Sequence, residues 1–177
     1  MRKQLGFSLI ELLIVVAIIL IIAAIAIPSL LRARIAANES SGAASVRTVA
    51  TAELTYQSSY PLNGFASSMA ELGGADVSCS TGPSSANACI IDYALQLAAT
   101  GGTAKSGYFF AVGASAASGS GPNDQYYVNA YPSNVDTTGV KEFCALQDNV
   151  VRFVTPGVSG GSLNSVGSCQ NAFPIGN

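Results

Sequence analysis

Phe7 to Ile27 form an apolar run of twenty-one residues that only Ser8 and Glu11 interrupt. As an α-helix the run spans about 31 Å, close to the roughly 30 Å hydrocarbon core of a bilayer. A secretory signal peptide has a shorter apolar region, about 7–15 residues, ending at a small-residue cleavage site. Here the run ends at Ile27-Pro28, with Leu30 and Leu31 following. A plain anchor fits the length, and Arg2 and Lys3 would keep the leading end cytoplasmic. Arg32 and Arg34 on the far side weaken that asymmetry without reversing it. Neither reading accounts for Glu11. A carboxylate at the bilayer centre costs roughly 2.5–3.5 kcal/mol on insertion scales, so one that is retained points to a function and a cationic partner. Arg2 and Lys3, on the solvated flank, are poor partners for it.

The rest of the chain narrows the chemistry. With 177 residues there is room for one domain and an appended element. Charged residues make up only 10% of the chain, and beyond residue 58 seven acidic residues face three basic ones, Lys105, Lys141 and Arg152. Such a surface repels phosphate backbones, so no nucleic-acid binding is expected. The chain has no histidine, which removes Ser–His and Cys–His nucleophile pairs and His-containing zinc sites. The four cysteines, Cys79, Cys89, Cys144 and Cys169, form no C-x-x-C pair. In an exported, loop-rich domain they read as two disulfides, for which three pairings are possible. No catalytic residue, metal or cofactor is expected.

Pro28 implies a helix bend, after which Ser29 to Ser58 carry no proline. Leu31, Ile35, Gly42, Val46, Ala50 and Leu54 follow a three-to-four-residue spacing, the stripe of a helix half buried against a sheet. Arg32, Arg34, Glu39, Arg47 and Glu53 form its polar remainder. The turn signal Tyr60-Pro61-Leu62-Asn63-Gly64 ends this helix. Short helices are expected over Phe65–Leu72 and Cys89–Leu97. Four strands follow, at Gly107–Val112, Gln125–Tyr131, Lys141–Leu146 and Val150–Val154, as short aromatic and β-branched runs with turn punctuation. Thr155 to Asn177 is a Gly/Ser-rich tail. Asn38-Glu39-Ser40 matches the glycosylation pattern, but it falls inside a predicted helix.

Gly6-Phe7-Ser8-Leu9-Ile10-Glu11, behind a short basic leader and ahead of the apolar run, resembles the processing site of type IV pilins and of type II secretion pseudopilins. The resemblance covers roughly the first 34 residues. It implies cleavage between Gly6 and Phe7 by a membrane prepilin peptidase, N-methylation of Phe7, and a Glu11 that attracts the α-amine of an adjacent subunit. It further implies an α+β type IV pilin fold: a long N-terminal helix, its apolar half transmembrane, packed on a C-terminal antiparallel sheet of about four strands. Residues 1–6 would then be the leader, 7–28 the membrane and filament-core helix, and 29–58 the amphipathic helix. Residues 59–106 would be the variable connection, and 107–177 the sheet with its C-terminal loop. Cys144–Cys169 resembles the C-terminal disulfide loop of many pilins, which favours pairing Cys79 with Cys89.

The function implied is that of a non-enzymatic subunit polymerising with itself into a pilus for adhesion and twitching motility. Its partners would be the prepilin peptidase/methylase, an inner-membrane assembly platform and an outer-membrane secretin. Its course would run from the inner membrane to an extracellular filament. A secretion pseudopilin and a minor pilin are the alternatives.

Overall fold

A computed structural model describes residues 7–158 and 160–175. One long helix, α1 (Leu9–Ser59), opens the chain and runs continuously through Pro28. Three short helices follow: α2 (Met69–Leu72), α3 (Asp76–Ser80) and α4 (Tyr93–Leu97). Strands β1 (Tyr108–Ser115), β2 (Gln125–Pro132), β3 (Glu142–Ala145) and β4 (Arg152–Val154) come next, then α5 (Val166–Gln170) and β5 (Phe173–Pro174). The chain divides into two units, residues 1–34 and 35–177.

The second unit has an α+β core. Its sheet is antiparallel throughout in the order β1-β2-β3-β4-β5, so sequence neighbours are spatial neighbours and every connection is local. Val46, Val49, Ala50 and Tyr56 of α1 are buried and share one apolar cluster with Tyr108 and Phe110 of β1 and Tyr126 and Val128 of β2. Gly42 permits the close approach: a Cβ there would lie 3.3 Å from the Tyr108 ring. The Tyr126 hydroxyl donates to the Ala50 carbonyl, and the Tyr108 hydroxyl donates to the Lys141 carbonyl at 2.8 Å.

Several expectations are corrected. The sheet has a fifth strand, which the tail contributes by pairing Phe173 with Phe153. Two residues ending in proline carry no strand pattern. The helix expected from Cys89 begins only at Tyr93, because Cys89 has φ 57 and Ala88, Cys89, Ile90 and Ile91 donate backward to carbonyls of Glu71, Gly73 and Leu72. Asp92 then caps α4 through the Leu95 N–H. The helix expected from Phe65 begins at Met69, capped by Ser68. On α1, Gly42, Val46 and Ala50 are buried as the stripe requires, but Leu31 and Leu54 are exposed. Glu53, assigned to the polar remainder, is completely buried.

Candidate functional site

The amino-terminal turn of α1 is built from Ser8 and Glu11. Ser8 precedes the helix and its carbonyl accepts the first intrahelical bond, from the Leu12 N–H at 3.2 Å. Glu11, the third residue of the helix, folds back so that its Oε2 accepts the Ser8 N–H at 2.9 Å. That is half of a capping box, in which an acidic residue at the third position satisfies the N-cap donor and meets the positive end of the helix dipole. The motif Ser-x-x-Glu is legible in the sequence, and the reading of Glu11 as a carboxylate awaiting a distant cation overlooked it. Phe7 is exposed immediately before this turn. Gly6 and the rest of the leader lie outside the described residues.

Behind the turn, α1 is apolar over a length able to cross a membrane, and its large apolar side chains from Leu9 to Leu31 are exposed. Residues 1–27 match the family model described as the prokaryotic N-terminal methylation motif. The chain carries the type IV pilin signature. No curated protein and no solved structure matches this chain. The α+β architecture of the second unit fits the pilin fold, with a long helix against an antiparallel sheet. The signature is that of a structural family, and it implies processing by a prepilin peptidase and assembly into pilus-like polymers.

Elsewhere the chain spends its polar groups on holding itself together. Cys79 is bonded to Cys89 and Cys144 to Cys169, so no thiol remains as nucleophile or ligand. Among the described residues no three His, Cys, Asp or Glu side chains converge on a possible metal position. The Asn38 amide donates to the Thr138 carbonyl at 2.9 Å, so the glycosylation pattern is occupied by a structural contact. Glu39 accepts the N–H groups of Val140 and Lys141 and pairs with the Lys141 ammonium at 3.2 Å.

Two buried carboxylates were invisible to sequence reasoning. Glu142 is fully buried, and it accepts from the Asn129 amide, the Ser162 N–H and hydroxyl, and the Leu163 N–H. It therefore gathers the tail onto β2 and β3. Glu53 accepts the Ala66 N–H at 2.9 Å, while its Oε1 has no partner. Burial pushes its pKa up to about 8 against the lowering effect of the Ala66 bond, and the nearby Glu71 adds to the rise. Burial also raises the Tyr108 and Tyr126 hydroxyls above their ordinary range.

Proposed function

We propose that this protein is the structural subunit of an extracellular type IV pilus that serves adhesion and surface motility. The precursor sits in the inner membrane through α1. Cleavage between Gly6 and Phe7 releases a new amino terminus, which is methylated at Phe7, and an assembly platform and secretin guide polymerisation with further copies. The observation that carries this reading is the placement of Glu11. It lies in the first turn of the apolar helix, four residues from the terminus that cleavage creates, where the amine of an incoming subunit can reach it. At an effective dielectric near 20, two unit charges 4 Å apart attract by about 4 kcal/mol, and desolvation reduces the net gain. Adhesion needs no dedicated pocket in such a polymer, because many weak contacts along one fibre act together.

Mass spectrometry of purified surface fibres tests the proposal. The expected result is a bulk protein whose chain begins at N-methylated Phe7. Fibres that lack this chain, or a chain still beginning at Met1 or cut beyond Pro28, would remove the reading.

A further inference from the structure

Arg47 of α1 has no ion pair among the described residues, whereas the other three cations of residues 35–177 are each committed. Lys105 pairs with Asp92, Lys141 with Glu39 and Arg152 with Asp148. Lys141 is held further by the Phe153 ring, whose centre lies 5.5 Å from its ammonium. Arg47 lines a groove between α1 and the β3–β5 side of the sheet, together with Ala43, Ala44, Phe143 and Ile175. On the other flank of α1 lies the loop between β2 and β3. Asn38 holds that loop by donating to the Thr138 carbonyl, and Asn38 and Arg47 are nine residues apart. At about 100° per residue they are half a turn out of phase. The loop is closed on itself: the Asp136 N–H donates to the Gly139 carbonyl, and the Thr137 and Thr138 N–H groups donate to the Asn134 carbonyl. At its tip Asp136 is exposed, with φ 64. Left-handed backbone disfavours a residue with a Cβ, and glycine would strain this turn less. The Asp136 carboxylate nonetheless meets no described residue of its own chain. The other carboxylates described in residues 35–177 each accept at least one bond within the chain.

Resting on the reading of this chain as a polymer-forming subunit, we infer that the Asp136 loop of one copy docks in the Arg47 groove of the next. The Asp136 carboxylate meets the Arg47 guanidinium, while the half-buried Val135 and the Thr137 methyl beside it face Ala44 and Ile175. Opposite charge selects a second copy as the occupant. Each copy carries one unpaired cation in a groove and one unpaired carboxylate on a closed loop, so each supplies what the other lacks. The remaining like charges are screened beyond roughly 8 Å at physiological salt, whereas the pair in contact is not. Because groove and loop lie on opposite flanks of α1, the contact is heterologous. Each copy gives its loop to one neighbour and its groove to another, and the same contact recurs at every step of a polymer. A single exposed ion pair is weak, and repetition along a fibre multiplies it.

The test uses the full chain, reconstituted at high density in phosphatidylcholine vesicles. Ala44→Cys and Thr137→Cys in one chain put a thiol in the groove and a thiol on the loop, and the native cysteines, all in disulfides, do not interfere. A short bismaleimide should then give a ladder of dimers, trimers and higher species, and either thiol alone should give none. No product, or a product that stops at dimers, would overturn the inference. Charge is tested in the same background. Arg47→Asp or Asp136→Arg should each cut the ladder at least threefold, and the two together should restore at least half of it. Restoration by the pair separates a lost contact from a lost fold. No loss from either single variant, or no recovery by the pair, would equally refute the contact. The vesicle readout needs no fibres. A ladder without surface fibres keeps the contact and removes the pilus reading, and fibres of N-methylated chain without a ladder do the reverse.

Discussion

Glu11 and Glu53 both bind a backbone N–H, yet they make opposite demands on charge. Glu11 caps Ser8 in the exposed first turn of α1, at the positive end of the helix dipole. Two roles compete for it, the cap within its own chain and the amine of a neighbouring subunit, and substitution separates them. Glu11→Ala removes both and should insert in the membrane at least as well as the parent while forming few or no fibres. Glu11→Gln keeps a serviceable cap, since Gln also completes a capping box, but it lacks the charge. Electron microscopy should therefore find Glu11→Gln nearly as poor as Glu11→Ala. Full recovery by Gln would assign the residue to capping alone. Glu53 is the reverse case, a carboxyl that burial keeps protonated. The unfolded chain gives up this proton near pH 4.5, whereas the folded chain holds it to about 8. Stability from this group is thus complete below pH 4.5 and declines as pH rises toward 8. At 1.36 kcal/mol per pKa unit the loss is about 3–5 kcal/mol. Glu53→Gln should flatten the dependence of thermal stability on pH between 4.5 and 8 and raise the melting temperature at pH 8. Parallel profiles for the two proteins would refute the burial of charge as its cause.

At the scale of elements, the tail from β4 onward is the part with least core of its own and most fastening. Cys144 and Cys169 are both fully buried, in a cluster with Leu146, Leu163 and Ala172. Glu142 lies two residues from Cys144 on β3 and binds Ser162 and Leu163 from the far side of the same loop. The disulfide closes a sequence separation of 25, against 10 for Cys79–Cys89, and in the chain-entropy model contributes about 3 kcal/mol. Cys144→Ser or Cys169→Ser should therefore destabilise the domain more than Cys79→Ser or Cys89→Ser, since each also puts a hydroxyl at a completely buried site. Glu142→Ala strands several donors at once and should cost about 3 kcal/mol or more in denaturant titration, with both disulfides intact. Strands β1 to β4 were legible because aromatic and β-branched residues cluster between turn signals. Glu142 was not, because β3 is buried on every residue and shows no alternation to mark an inward carboxylate. Nor was β5, whose two residues gain their conformation only by pairing with β4.

For the whole molecule, the distribution of burial decides which parts depend on which. The apolar run of α1 was the most legible feature of the chain, because its length alone matches a bilayer. Its end as a core-forming element was read less well. The stripe drawn from Leu31 and Ile35 began too early, since among the described residues none is buried before Gly42. Periodicity cannot separate an apolar residue awaiting a membrane or a neighbour from one that packs within its own fold. Among the described residues, all that are buried, and both disulfides, therefore lie in the unit formed by residues 35–177. A chain beginning at Ile35 loses no side chain that is buried among the described residues, retains the part of α1 that contributes Val46, Val49 and Tyr56 to the core, and sheds the exposed apolar surface. It should be water-soluble without detergent, form both disulfides, and melt cooperatively within a few degrees of the full chain in micelles. Circular dichroism and peptide mapping check this directly. Aggregation or a non-cooperative melt would mean that residues 9–34 support the folded unit in ways its burial does not reveal.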